Sequence, residues 1–427
     1  MTDAVYPKFR WFILLSYVIV TAATSLSMIA PAPMVPEMAK TMGIDLGEAT
    51  AAAMMTFNLF MGVFAFVGGF FLDKVGVFRM WIICLVIIGS GSLLMPVIGN
   101  SIPGLVACRI LHAAGTGPIM ASIAMVSARY FKYKERTYVA AFQGVAVSFG
   151  IAIGLMFSPK MLSIVGDWKP ALAWTAIFPA LGIIFGLIVL MGPKPPAVQS
   201  AGPATDDTVL FSPDFKKALC YITVYLLALM GLIDSWCQQT YNAMMPGLYA
   251  APPPVGLGFG AMGSVKLTWA SFAMMAGALA APVVTENIFK GNPKPTVFIG
   301  LGIAGAMILT VQKLTPQTGD LILIGVPCLV LFFSSFVNPT IFGYVAKHYP
   351  SGVAGRLGGF IMFFFVFGAT FGQGISSYLL SKTGFYWKPM LLLAVVTFIG
   401  AIVVLFLRPP KGFEALNLDG SKKSPAN

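Results

Sequence analysis

Runs of about twenty apolar residues, nearly free of charge, follow one another along the whole chain, which is the length needed to cross a bilayer as a helix. Such runs begin near Trp11, Thr50, Met80, Pro103, Tyr138, Pro170, Ala218, Ala261, Thr296, Asp320, Leu357 and Trp387. No water reaches the hydrocarbon slab, so each backbone N–H and C=O in a run must pair within the run, and an α-helix is the way to do that. A β-barrel would alternate apolar and polar residues over ten-residue segments, and no such segments occur. Charged residues make up only 10% of the 427 positions. A soluble domain carries about 25%, so the lipid bilayer is the solvent this chain expects.

The same scarcity excludes other classes. The net charge of +12 sits in short loops between apolar runs, a pattern of membrane topology rather than of a nucleic-acid surface. Five cysteines, each inside an apolar run, and two histidines make no disulfide framework, zinc site or other metal centre. There is no phosphate-binding Gly-rich loop, HExxH, nucleophile elbow or dinucleotide fingerprint. We therefore expect no cofactor and no enzymatic activity, and an ion or solute gradient rather than ATP as the energy source. The first run, Trp11 to Pro36, is too long for a signal-peptide core and lacks a cleavage site, so it reads as a retained helix.

Lys and Arg set the orientation. With the N-terminus in the cytoplasm, the far side holds Lys40, Lys160, Lys169, Lys313, Lys382 and Lys388. Arg109 and Lys266 fall inside helices, and every other Lys and Arg is cytoplasmic. Both termini are thus expected inside a cell's inner (plasma) membrane. The Pro-, Ser- and Asp-containing stretch 192–217 reads as a linker. It separates an N-terminal six-helix bundle (1–191) from a C-terminal one (218–410), followed by a tail (411–427). The halves repeat one another. Trp168-Lys169-Pro170 recurs as Trp387-Lys388-Pro389, Gly150-x-x-x-Gly154 as Gly368-x-x-x-Gly372, and the basic loop ending at Arg136 as the one ending at Arg356. Two parallel six-helix repeats about an axis along the membrane normal are a transporter architecture.

Between the second and third runs stands Gly69-Phe-Phe-Leu-Asp73-Lys74-Val-Gly76-Val-Phe-Arg79. It resembles the signature loop G-x-x-x-D-[RK]-x-G-x-x-[RK] of the major facilitator superfamily, departing from it at Val77 and Phe78, where many members are basic. The corresponding second-half loop, Glu286 to Lys294, is degenerate. The resemblance extends over the chain and implies an all-α fold of twelve transmembrane helices in two pseudo-symmetric six-helix bundles. It also implies a gating role for Asp73 and Arg79. The segment Arg109-Ile-Leu-His112-Ala-Ala-Gly115 resembles a further family motif. Charge inside a membrane helix faces a cavity or a partner, and His112 shares a face with Arg109. Two readings stay open: a proton relay, or an Arg tied to backbone carbonyls with His112 packed beside it.

Asp234, Gln238 and Tyr241, spaced i, i+4, i+7, form a polar stripe on an otherwise apolar seventh helix. A carboxyl that moves between wet and dry surroundings changes its proton affinity, so Asp234 is the candidate proton carrier; a static ion pair or helix–helix hydrogen bond is the alternative. Lys266 could neutralise an anion, pair with Asp234, or snorkel to the outer interface. Tyr17, Thr21 and Thr24 form a similar stripe on the first helix and are expected to face the cavity. Asn338 is a further candidate ligand, as are Asn58 and Gln143. These residues together favour a proton-coupled symporter of a small organic anion, monocarboxylate-like, working as a monomer. The loop from Arg129 to Arg136 is similar to that of organic-anion branches but lacks their Trp and Pro. The alternatives are a proton antiporter exporting a drug or metabolite, whose Gly-Pro motif is absent from Gly150–Pro159, or an anion exchanger. A receptor or membrane enzyme on this scaffold would lack any large soluble domain to work with.

Overall fold

A computed structural model describes residues 8–131, 136–193, 213–349 and 351–408 of the protein. The described residues are helical almost throughout and form twelve long rods. The first half holds α1 (Arg10–Ile29), α2 (Thr56–Val75, preceded by Leu46–Thr50), α3 (Val77–Ile98), α4 (Ile102–Tyr130), α5 (Arg136–Val165) and α6 (Ile177–Leu190, preceded by Trp168–Ala173). The second half holds α7 (Ile222–Ala250), α8 (Thr268–Val283), α9 (Pro293–Val311), α10 (Asp320–Ser334, resumed as Val337–His348), α11 (Ser351–Thr383) and α12 (Trp387–Val403). Among the described residues, ten helical runs, from Arg10–Met42 to Trp387–Phe406, are long and apolar enough to cross a bilayer. The remaining two, α4 and α7, are 29 residues each, and they carry Arg109 and Asp234. Most of the expected linker, residues 194–212, lies outside the described residues, as do the side chains of Asp73, Lys74, Arg136 and Arg356.

Local chemistry sets the breaks. The seventh rod was expected from Ala218, but Tyr221 is extended (φ −96°, ψ 130°), so Pro213–Leu219 forms a separate short helix and α7 starts at Ile222. Gly76, at φ +89°, makes the turn between α2 and α3, a conformation open to glycine. Thr223 at the start of α7 and Tyr344 in α10 both donate to the Arg408 carbonyl beyond α12, at 2.7 and 3.0 Å. Those ends therefore lie on one face of the slab, here the terminal face, opposite the far face.

The sequence repeat has a packing counterpart. A Cβ on Gly150 would lie 2.3 Å from the Ala22 carbonyl oxygen, and one on Gly154 2.4 Å from Ile29, so α5 presses on α1. A Cβ on Gly368 would lie 2.0 Å from the Leu232 oxygen, and one on Gly372 2.6 Å from Thr240, so α11 presses on α7 in the same way. Lipid gives helices no hydrophobic drive to associate, and small residues that let backbones meet supply the contact instead.

The buried apolar residues fall into three main clusters. One takes in the far ends of both halves, among them Met28, Met54, Leu155, Met244, Leu267 and Leu380. The terminal ends form two separate clusters, one around Tyr17, Trp81 and Val126 and one around Leu227, Val337 and Tyr344. The halves are thus fused by a continuous core on the far side and packed separately on the terminal side. Side chains such as Val97, Ile184, Ile222, Phe363 and Ile402 stand exposed on the outside, the belt that lipid covers. Gly368→Val should lower the melting temperature in detergent micelles by several degrees, since overpacking costs about 1–3 kcal/mol. Gly302→Ala, where an added Cβ meets nothing within 4 Å, should leave it unchanged or raise it.

Candidate transport site

Two polar groups lie deep in the slab. The first begins with a break in α1. Pro31 has no N–H, so the Ser27 carbonyl four residues earlier loses its helical donor. Arg109 of α4, fully buried, supplies one: Nη1 donates to Ser27 O at 2.7 Å and Nη2 to Met28 O at 2.9 Å. Its Nε donates to Ala53 O, within a π-helical turn, Ala51–Met55, where the regular ladder of α2 is interrupted. The guanidinium also lies 4.7 Å from the centroid of the Phe57 ring. Arg109 therefore ties α1, α2 and α4 together through carbonyl oxygens.

His112 extends this group. Arg109 Nη1 stands 3.2 Å from His112 Nδ1. A guanidinium only donates, so Nδ1 accepts and the ring proton sits on Nε2, 3.0 Å from Ser92 Oγ. Ser92 then donates to Thr175 Oγ1 at 3.0 Å, and Thr175 to the Leu172 carbonyl at 2.6 Å. All donors point one way, and the chain ends on a backbone oxygen.

The second group is the α7 stripe. Asp234 is 1% exposed, away from lipid. Its Oδ1 accepts from Gln238 Nε2 at 2.8 Å, while Oδ2 has no hydrogen-bond partner and, among the described residues, no cation pairs with it. Tyr241 lies one turn further along, with its hydroxyl buried and unbonded. Tyr241, Asn242 and Met245 line a small gap against Leu155 of α5 and Leu267 and Ala270 at the start of α8. The far end of the stripe thus abuts the opposite half, and Gln238 and Gln239 are half-buried beside it.

Other predicted residues stand elsewhere. Lys266 pairs with Asp320, not with Asp234, and its ammonium lies 4.8 Å from the Phe259 ring centroid near the far face. Tyr17 does not join the α7 stripe; it is fully buried in the terminal-side cluster of its own half, with its ring 5.9 Å from that of Trp81. Thr21 is buried one turn on. Asn338 is half-buried just past the break in α10 at Ser335–Phe336, and Arg79 is exposed on the first turn of α3. Gln143 donates to the Met120 carbonyl, a helix-packing bond. Sequence reasoning missed Gln373 of α11, whose Oε1 accepts from Asn58 Nδ2 at 2.9 Å across the two halves. It also missed Asp45, which accepts from Ser381 across the far face at 2.8 Å.

Two six-helix bundles joined on one side, with one buried carboxyl among the described residues and amides that reach across to the other half, define a polytopic membrane transporter. The sequence model of the Major Facilitator Superfamily matches residues 15–365, and the chain belongs to that family. No curated protein matches it in sequence. Its fold is similar to that of a bacterial homolog of the human lysosomal transporter Spinster, solved in an inward-facing, unoccupied conformation, with TM-score 0.71 and 15% identity over 99% of this chain and 100% of that one. It is also similar to a mutant of the nucleoside transporter NupG, with TM-score 0.70 and 14% identity over 92% of this chain and 99% of that one.

Replacing Arg109 should test its structural work. Arg109→Ala leaves three buried carbonyls unmet, at about 1–3 kcal/mol each, and should abolish the monodisperse peak in size-exclusion chromatography of detergent extracts. Arg109→Lys, whose compact ammonium lacks the planar fork that reaches three carbonyls at once, should recover only a minor part of it.

Proposed function

We propose that this chain is a proton-coupled symporter in which Asp234 carries the proton and a small polar solute passes between the two bundles. The observation that carries this reading is the unmatched carboxyl. A buried carboxylate kept for structure is normally met by a cation or several donors, whereas Asp234 has one amide donor and a free oxygen. Amides and Tyr241 around it suit a solute held by hydrogen bonds.

The anionic, monocarboxylate-like class rests on Lys266. Its partner Asp320 is 74% exposed in its side chain, so a solute carboxylate arriving from the far side competes for the same ammonium. Arg109 is occupied by carbonyls and does not serve in this reading. By the Lys and Arg bias, the terminal face is cytoplasmic and the membrane is the inner (plasma) membrane. Asp73 and Arg79 work at the cytoplasmic gate, and the monomer is the working unit.

Proteoliposomes given labelled lactate or acetate should accumulate it under an inward proton gradient. Asp234→Asn should cut driven uptake about tenfold or more while solute counterflow persists. Driven uptake unaltered by Asp234→Asn would clear the residue of the role. Accumulation under the opposite gradient would make the protein an antiporter.

A further inference from the structure

The far-side closure runs along two seams, one where Ser264, just before α8, donates to the Leu155 carbonyl of α5, and one between α2 and α11. α2, with the short helix before it, and α11 lie antiparallel, and their contacts follow in strict order. Asp45 accepts from Ser381, and Gly47 lies against Ser377 and Ser381, where a Cβ would come 2.1 Å from the Ser377 oxygen. Gly374 rests on Met55, Asn58 bonds Gln373, and Gly62 packs on Val366, where a Cβ would come 2.2 Å from Cγ1. Opening the far face means parting these contacts.

Gln373 is the point where the α2–α11 seam meets α7. It is 1% exposed and both of its polar atoms are used. Nε2 donates to the Gln239 carbonyl at 3.0 Å. That carbonyl can only accept, which fixes the amide's orientation and turns Oε1 toward Asn58 Nδ2. One side chain thus joins α2 of the first half, α11 and α7. Gln239 directly follows Gln238, the residue that holds Asp234 Oδ1. Asn58 Oδ1 is itself buried without a partner, so Gln373 gives Asn58 its one bond across the halves.

We infer that Gln373 is the positioning residue through which the protonation of Asp234 sets the far-side seam. The inference rests on the proposed role of Asp234. The far-closed form leaves Asp234 dry and Oδ2 unmet, so ionising it disfavours this form relative to one that admits water. Acid therefore favours the closed seam and alkali the open one. The displacement of the Asp234–Gln238 turn of α7 reaches the seam because Gln373 is bonded to the next carbonyl. Among the described residues, the titratable groups facing Asp234 and its stripe are Cys237, bonded to Thr397 of α12, Tyr241, and, next to Tyr241, Tyr249 of α7 and Cys328 of α10. α11 offers the uncharged Gln373. Lys266, Asp320, Lys347 and Lys382 stand at helix ends.

Spin labels at Lys40→Cys and Lys382→Cys, both exposed on the far face, in a Cys220→Ser, Cys328→Ser background, read the seam by electron–electron double resonance in lipid nanodiscs. The fraction with the long distance should rise about threefold or more from pH 5 to pH 8. Asp234→Asn should be flat with pH. Gln373→Leu should also be flat, and so should Asn58→Leu, which cuts the other end of the link. If Asp234→Asn is flat and both leucine variants respond as the unsubstituted protein does, Gln373 does not transmit the signal, and this inference falls alone. If Asp234→Asn itself responds normally, the proton-carrier reading falls first and takes the inference with it.

Discussion

Inside a bilayer, a polar group that its own chain does not satisfy has no water to turn to. That constraint shapes the protein beyond making it helical. Each departure from a regular helix creates an acceptor that something else must meet. Pro31 strips the donor from the Ser27 carbonyl, and the π-helical turn of α2 offers the Ala53 carbonyl. Arg109 meets both, with the Met28 carbonyl besides, from a single guanidinium. A charge in the slab is expensive, yet here it serves as a multi-point donor that lets α1 and α2 bend where they would otherwise have to stay straight. Many serine and threonine hydroxyls obey the same rule. Ser16, Ser25, Ser27 and Thr50 each donate to the carbonyl four residues back.

The two halves share a scaffold but not a chemistry. Glycine pairs on α5 and α11 press their helices onto α1 and α7 in matching fashion, and Trp-Lys-Pro opens the sixth and twelfth runs alike. At the repeat spacing that relates the two Trp-Lys-Pro segments, the position matching Arg109 is Cys328. One half therefore spends its buried ionisable group on internal cross-bracing, while the other holds a carboxyl that little restrains. Such a division suits a rigid-body mechanism with one bundle braced and, on the proposed role of Asp234, the other carrying the proton.

Much of this was legible in the sequence because it is periodic or compositional. Apolar run length gives the rods, the recurring glycines give the repeat, and i, i+4, i+7 spacing gives the Asp234 stripe. The rotation of α1 was not legible. Every residue from Val20 to Ala30 is buried, so apolarity alone does not tell the cavity-facing side from the packed one, and the Tyr17 ring packs on Trp81. The partner of Lys266 was hidden because Asp320 begins a different helix and only the packing of α8 beside α10 brings them together. Gln373 escaped notice because its neighbours one turn away, Thr370, Ser376 and Ser377, are small hydroxyls that are common in membrane helices and carry no charge. Its one local signal was its seat between Gly372 and Gly374, small residues that let another helix come close.

Closure on the far side and separation on the terminal side also bear on why Asp234 can remain so poorly met. In a static membrane protein a buried carboxyl with a free oxygen is a standing cost, removable by one apolar substitution. In an alternating-access protein that cost belongs to one conformation alone, and relief belongs to the other. A carboxyl whose ionised form is tolerated in one conformation and disfavoured in the other makes the equilibrium between them depend on the proton. The continuous apolar core that fuses the far ends opposes any opening there. On the proposed role of Asp234, the carboxyl acts through a specific contact of that closure, and α7 touches the α2–α11 seam through the amide of Gln373.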